Sequence, residues 1–118
     1  MKKIIFYSYL KCSTCRKAAN WLKSKDFEFQ LIDIAKEPPL VNFLNLALEQ
    51  YSDDKKSIFN TRGKAFKALN IDIYSLSREE IIQLLLSDGK LIKRPFLIFE
   101  EKKVILGFNE IEYTKQLI

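Results

Sequence analysis

Residues 3–23 read KIIFYSYLKCSTCRKAANWLK, and the fold turns on how that stretch divides. Its opening, KIIFYSY over 3–9, is a run of β-branched and aromatic residues with the composition of a buried strand. Past Cys12 the period changes: Ala18, Ala19, Trp21 and Leu22 recur at helical spacing between basic residues. This predicts a helix that opens at Ser13 or Thr14 and runs to about Lys25. FEFQLIDI at 27–34 then alternates apolar with polar positions and predicts a second strand. Strand, cysteine turn, helix and strand together make a β-α-β unit, whose two strands run parallel.

Beyond this unit, AKEPPL at 35–40 punctuates the chain, because Pro38 and Pro39 stop a strand and can open a helix. LVNFLNLALEQY at 40–51 follows with Val41, Phe43, Leu44, Leu46, Ala47 and Leu48 on a broad apolar face. SIFNTRGKAFKALNI at 57–71 reads as a short helical or turn region with Gly63 as a break. SLSREEIIQLLLSDGK at 75–90 has the capping-box pattern, Ser77 as N-cap and Glu80 three residues on, with Gly89 as the stop. FLIFE at 96–100 and KKVILGF at 102–108 flank a short turn and predict an antiparallel hairpin, after which Asn109 caps a last helix. The order is β-α-β, a helical stretch over about 36–91, then β-β-α. We therefore expect an α/β chain with a thioredoxin-like (glutaredoxin-like) core over 1–35 and 92–118, a four-stranded mixed sheet, and a helical insertion over 36–91. Neither half has strands enough for its own sheet, so residues 1–118 are expected to form a single domain.

Composition narrows the chemistry. The chain has 118 residues, 47% of them apolar, two cysteines and no histidine. No apolar stretch approaches the ~20 residues of a membrane span, and the start MKKIIFYSYLKC lacks a signal-peptide pattern, so a cytoplasmic protein is expected. A reducing compartment does not maintain structural disulfides, and Cys12 and Cys15 would close too small a loop to staple a fold. Zinc usually takes four ligands, which two cysteines without histidine do not supply, so no metal is expected. The net charge of +5 is spread without a like-charged run and without a nucleic-acid-reading motif, so no direct nucleic-acid binding is expected.

What remains for the two thiols is redox chemistry. An ordinary cysteine, with a pKa of about 8.5, is mostly protonated at neutral pH, and only the thiolate attacks. A Cys12 placed as the cap of the following helix meets free N–H groups and the positive end of the helix dipole, with Lys11, Arg16 and Lys17 adding positive potential. Cys12 is the candidate nucleophile. Cys15, on the first helical turn, lies within reach of a mixed disulfide at Cys12 and is the candidate resolving thiol. The missing histidine excludes a Cys-His dyad. LIKRPFLIF at 91–99 offers Pro95 at a strand start, where an X-Pro bond can be cis, and a thioredoxin-like layout brings Arg94 near Cys12. Arg62 and Lys64 are expected to complete a basic pocket, whereas Trp21, Phe66 and Phe96 read as core.

SYLKCSTCRKAANWL, EPP, NTRGKAFKALNI, LIKRPFLI and LGFNE occur in this order over nearly the whole chain. On these motifs the sequence resembles the arsenate reductase (ArsC) family, and looks closest to its Spx/MgsR branch. The resemblance implies a thioredoxin-like fold with an inserted helical subdomain and a redox disulfide between Cys12 and Cys15. Cys12 matches the nucleophile of the glutaredoxin-linked arsenate reductases and Arg94 one of the three arginines around their oxyanion. Their other arginines fall near Asn60 and Phe108, and their active-site histidine has no counterpart, so little arsenate turnover is expected. The Spx-like members share the C-S/T-x-C turn and bind the C-terminal domain of the RNA polymerase α-subunit when their disulfide forms. Arg94 matches an arginine assigned to stabilising that oxidised form, while their interface glycine falls at Asp54 and their chains run on past Ile118.

The resulting expectation is a thiol-disulfide oxidoreductase with Cys12, Cys15 and Arg94 as its working residues and Pro95, Arg62 and Arg16 in support. No cofactor is expected to be bound, and glutathione with glutaredoxin, or thioredoxin, is expected to supply electrons. It would act as a monomer, away from membranes, on a thiol or disulfide substrate or a redox protein. The alternative is a redox-switched regulator that binds the RNA polymerase α-subunit, and a third reading is a glutaredoxin-dependent arsenate reductase.

Overall fold

The computed structural model describes residues 2–118. The chain runs β1 (Ile4–Ser8), α1 (Ser13–Ser24), β2 (Gln30–Asp33), α2 (Val41–Gln50), α3 (Lys64–Leu69), α4 (Arg78–Ser87), β3 (Phe96–Phe99), β4 (Lys103–Leu106) and α5 (Glu110–Leu117), with short 3-10 turns at Lys55–Ile58, Ile73–Ser75 and Gly89–Leu91. The sheet order is β2-β1-β3-β4. β1 pairs parallel with β2 and antiparallel with β3, and β3 pairs antiparallel with β4, so the four-stranded mixed sheet is as expected.

β1 is apolar at successive positions because it is covered on both sides. Ile4 and Phe6 face Ala18, Trp21 and Leu22 of α1 and Tyr113 and Leu117 of α5. Ile5 and Tyr7 face Phe43, Leu44 and Ala47 of α2 and Ile81 and Leu85 of α4. Such residues contribute roughly 1.5–3 kcal/mol each when fully buried, so this two-sided strand anchors the fold. The free edge of β4 is occupied by Gln50: its Nε2 donates to the Val104 carbonyl at 2.8 Å and its Oε1 accepts from the Val104 N–H at 2.7 Å. One side-chain amide thereby satisfies backbone groups that a fifth strand would otherwise pair.

The second strand is shorter than its alternating pattern suggests. Asp26 turns back with φ 61° and the Phe27 N–H donates to the Leu22 carbonyl at 3.0 Å, so residues 26–29 leave the helix before pairing begins at Ile5 and Gln30. Phe27 and Phe29 still pack, on Trp21 and Phe6 respectively. The capping box is present: Ser77 accepts from the Glu80 N–H and Glu80 accepts from the Ser77 N–H. Gly89 follows the end of α4 as expected, the helix stopping at Ser87 with Asp88 as its C-cap. A Cβ at Gly89 would lie 1.8 Å from the Ile34 carbonyl oxygen, so glycine is needed where the 3-10 turn crosses the end of the β2 segment. No helix among the described residues is long and apolar enough to cross a membrane.

Candidate active site

The cysteine turn is built by short-range contacts. The Cys12 N–H donates to the Tyr9 carbonyl at 3.0 Å as β1 ends, and Cys12 then caps α1 in an extended conformation. Its Sγ accepts from the Cys15 N–H at 3.2 Å, the arrangement expected of an N-cap. Both cysteines are free thiols, Cys12 half-buried and Cys15 buried at 1% exposure.

The two sulfurs are chemically unequal. Burial, followed by hydrogen bonding to the Cys12 sulfur, pushes the Cys15 thiol up to about 12, while hydrogen bonds from the Tyr9 backbone and the Ser8 side chain oppose this and the charge of Cys12 adds to it. Cys15 is therefore a neutral thiol at neutral pH. Below it lies Tyr113, whose buried hydroxyl donates to the Gly107 carbonyl at 3.0 Å. Burial, and secondarily the charge of Cys15, pushes that hydroxyl well above the ordinary tyrosine range.

The turn opens onto a cavity of about 560 Å³ lined by Cys12 and Thr14 on one side and, opposite, by residues from three distant segments, among them Asn60, Arg62, Lys93, Arg94 and Phe108. Long-range backbone bonds assemble this wall. Phe59 and Ile92 form an antiparallel bridge, the Asn60 N–H donates to the Leu91 carbonyl at 2.8 Å, and the Lys93 N–H donates to the Ile58 carbonyl at 2.8 Å. These bonds set 58–60 beside 91–93. The Gly107 N–H donates to the Pro95 carbonyl at 2.9 Å and so brings the end of β4 to the same rim.

Of the residues expected to act here, Cys12, Arg62 and Arg94 line the cavity and Cys15 lies buried behind Cys12. The Arg94 guanidinium carbon sits 4.7 Å from the ring centroid of Tyr9, the residue whose carbonyl accepts from the Cys12 N–H, so the wall and the cysteine turn meet at that aromatic face. The Arg94–Pro95 peptide is cis, and Pro95 is buried. Arg16 points elsewhere, its Nη1 donating to the Leu10 carbonyl at 3.0 Å, where it holds the back of the turn. Lys64 does not line the cavity: it is exposed as the first residue of α3. Lys93 occupies the wall instead, unmarked in sequence except by its place beside Arg94 and Pro95. Trp21 and Phe96 are core, as expected, and Phe66 packs half-buried on Phe59.

Comparison with known proteins places this arrangement. A family model described as the ArsC family matches residues 7–116. The protein YusI of Bacillus subtilis is 42% identical over 114 residues, which cover 95% of this chain and 96% of YusI. The global transcriptional regulator Spx of Lactiplantibacillus plantarum is 34% identical over 97% of this chain and 86% of its own length. The crystal structure of a possible arsenate reductase from Streptococcus mutans superposes with a TM-score of 0.82 at 40% identity, covering 90% of this chain and 91% of that one.

Proposed function

The chain belongs to the ArsC family, near its Spx/MgsR branch, and from that premise we propose that Cys12 and Cys15 form a thiol-disulfide redox centre. The observation that carries the reading is the pairing of a half-buried N-cap sulfur, open to a cavity, with a buried neutral thiol three residues on. The Cys12 thiolate attacks one sulfur of a disulfide RS–SR, a Cys12–S–S–R bond forms, and RS⁻ departs to take a proton. Two of the causes that keep Cys15 neutral, its hydrogen bond to the Cys12 sulfur and the Cys12 charge, belong to the free thiolate. Cys15 then loses its proton to solvent and attacks Cys12 Sγ, and the second RS⁻ leaves. The substrate has gained two electrons and two protons, and the protein holds a Cys12–Cys15 disulfide. An external reductant, glutathione with glutaredoxin or thioredoxin, returns the electrons.

A second reading, a redox-switched regulator, is favoured by the similarity to Spx over 97% of this chain. Its partner would be the α-subunit of RNA polymerase. Arsenate reduction has less support, because Asn60 and Phe108 line the cavity without charge.

One assay separates these readings: a model disulfide is supplied with thioredoxin and its reductase, and consumption of reductant is followed. Sustained turnover, abolished in Cys12→Ser and arrested as a Cys12 mixed disulfide in Cys15→Ser, is expected. Rapid formation of the Cys12–Cys15 disulfide without turnover, with the oxidised form alone capturing the polymerase α-subunit, would move the assignment to the switch. A Cys12 no more reactive than a free cysteine would overturn both.

A further inference from the structure

The wall that faces Cys12 carries Arg62, Lys93 and Arg94 and no acidic residue. None of these three takes part in an ion pair; the ion pairs among the described residues are Lys3–Glu101 and Arg78–Glu49. Arg94 is committed to the face of Tyr9, and Arg62 sits in the exposed turn before α3. Lys93 is exposed as well, but its position is fixed by more of the fold. Its backbone is fixed by the bond to Ile58, and its stem crosses Gly107, where a Cβ would come within 3.2 Å of the Lys93 Cε. Gly107 has φ 71°, so glycine there serves both the turn and the space through which the lysine stem passes.

Resting on the thiol-disulfide reading above, we propose that Lys93 is a specificity residue that selects disulfides bearing a carboxylate beside the scissile bond. The flexible ammonium binds that carboxylate as a point charge while Cys12 attacks the neighbouring sulfur. The cavity volume of about 560 Å³ falls within the range of small-molecule sites, so the substrate class is a small anionic disulfide.

The test compares two probes on the full chain: 5,5′-dithiobis(2-nitrobenzoate), which has a carboxylate on each ring, and neutral 2,2′-dithiodipyridine. Second-order rates of Cys12 modification are measured for wild type, Lys93→Met, Lys93→Arg and Lys102→Met, the last at the far end of the β3–β4 hairpin. In Lys93→Met the anionic-to-neutral rate ratio is expected to fall about fivefold, the weight of one pair of opposite charges about 4 Å apart in water, as suits an exposed lysine. Lys93→Arg should keep the ratio, and Lys102→Met should not change it. An unchanged ratio in Lys93→Met, or an equal fall in Lys102→Met, overturns the proposal. Slow reaction of wild-type Cys12 with the neutral probe would instead remove the thiol-disulfide reading itself, so the two failures are distinct.

Discussion

The two sides of the cavity are made in opposite ways. The cysteine turn is closed by contacts between residues three to six apart: Cys12 to Tyr9, Cys15 to Cys12, Arg16 to Leu10. The facing wall exists only because 58–60, 91–95 and 107–109 are tied together across the chain. Reactivity thus depends on a local device that a strand-to-helix junction carries with it, whereas selectivity depends on the assembled fold. Changes to the turn should alter chemistry at little cost in stability, and changes to the wall should do the reverse.

The largest effect is expected within the turn itself. With its thiol pushed from 9.0 to about 12, Cys15 should be alkylated by iodoacetamide at neutral pH roughly 10³-fold more slowly in the native protein than in urea, since only the thiolate reacts. Peptide mapping of initial rates provides the measurement, and a difference below tenfold would break the claim that the two sulfurs are unequal. The same shift has a stability consequence. A thiol raised in the folded state stabilises fully below the unfolded pKa, so stability should begin to fall above about pH 9 and continue falling toward pH 12 as the unfolded chain ionises first.

A second test asks how far the wall depends on distant packing. Gly89→Ala would place a Cβ 1.8 Å from the Ile34 carbonyl oxygen, a backbone obstacle that cannot rotate away. Urea denaturation should show a loss of about 3 kcal/mol or more, the upper range for overpacking. Ser13→Ala, exposed in the first turn of α1, should stay within about 0.5 kcal/mol of wild type. Comparable losses in the two variants would erase the contrast between a self-contained turn and a dependent wall.

This division also explains what could be read from the sequence. The turn is legible because its signals are local, an apolar run and a change of period at Cys12; the caps Ser77 of α4 and Asn109 of α5 are legible for the same reason, since each falls within one helical turn of its partner. Arg94 and Arg62 could be placed only through the expected topology and the family resemblance. Lys93 and Lys64 were indistinguishable as isolated lysines, and what separates them is the pairing of Ile58 with Lys93, a bond across 35 positions. The second role of Gly89, its close approach to Ile34, is hidden for the same reason. A glycine after an apolar helix signals a stop, and nothing nearby in sequence announces that Ile34 will lie against it.

The smallest effect concerns a buried side chain behind both sides. Tyr113 donates to the Gly107 carbonyl, and Gly107 in turn donates to Pro95, so the phenol lies directly behind the rim across which Lys93 passes. Tyr113→Phe keeps the ring packed on Trp21 and Phe108 but leaves the Gly107 carbonyl without that partner, at a cost of about 1–2 kcal/mol. Because the backbone bonds of the turn do not involve Tyr113, the rate of Cys12 with a neutral disulfide should stay within about twofold of wild type, a small change on the scale where tenfold is 1.4 kcal/mol. Hydrogen exchange at the Gly107 N–H should accelerate, since its bond to Pro95 loses the support behind it. Slowed Cys12 chemistry with unchanged exchange at Gly107 would mean that Tyr113 serves the sulfurs and not the wall, and the boundary between the two sides would have to be redrawn through the phenol.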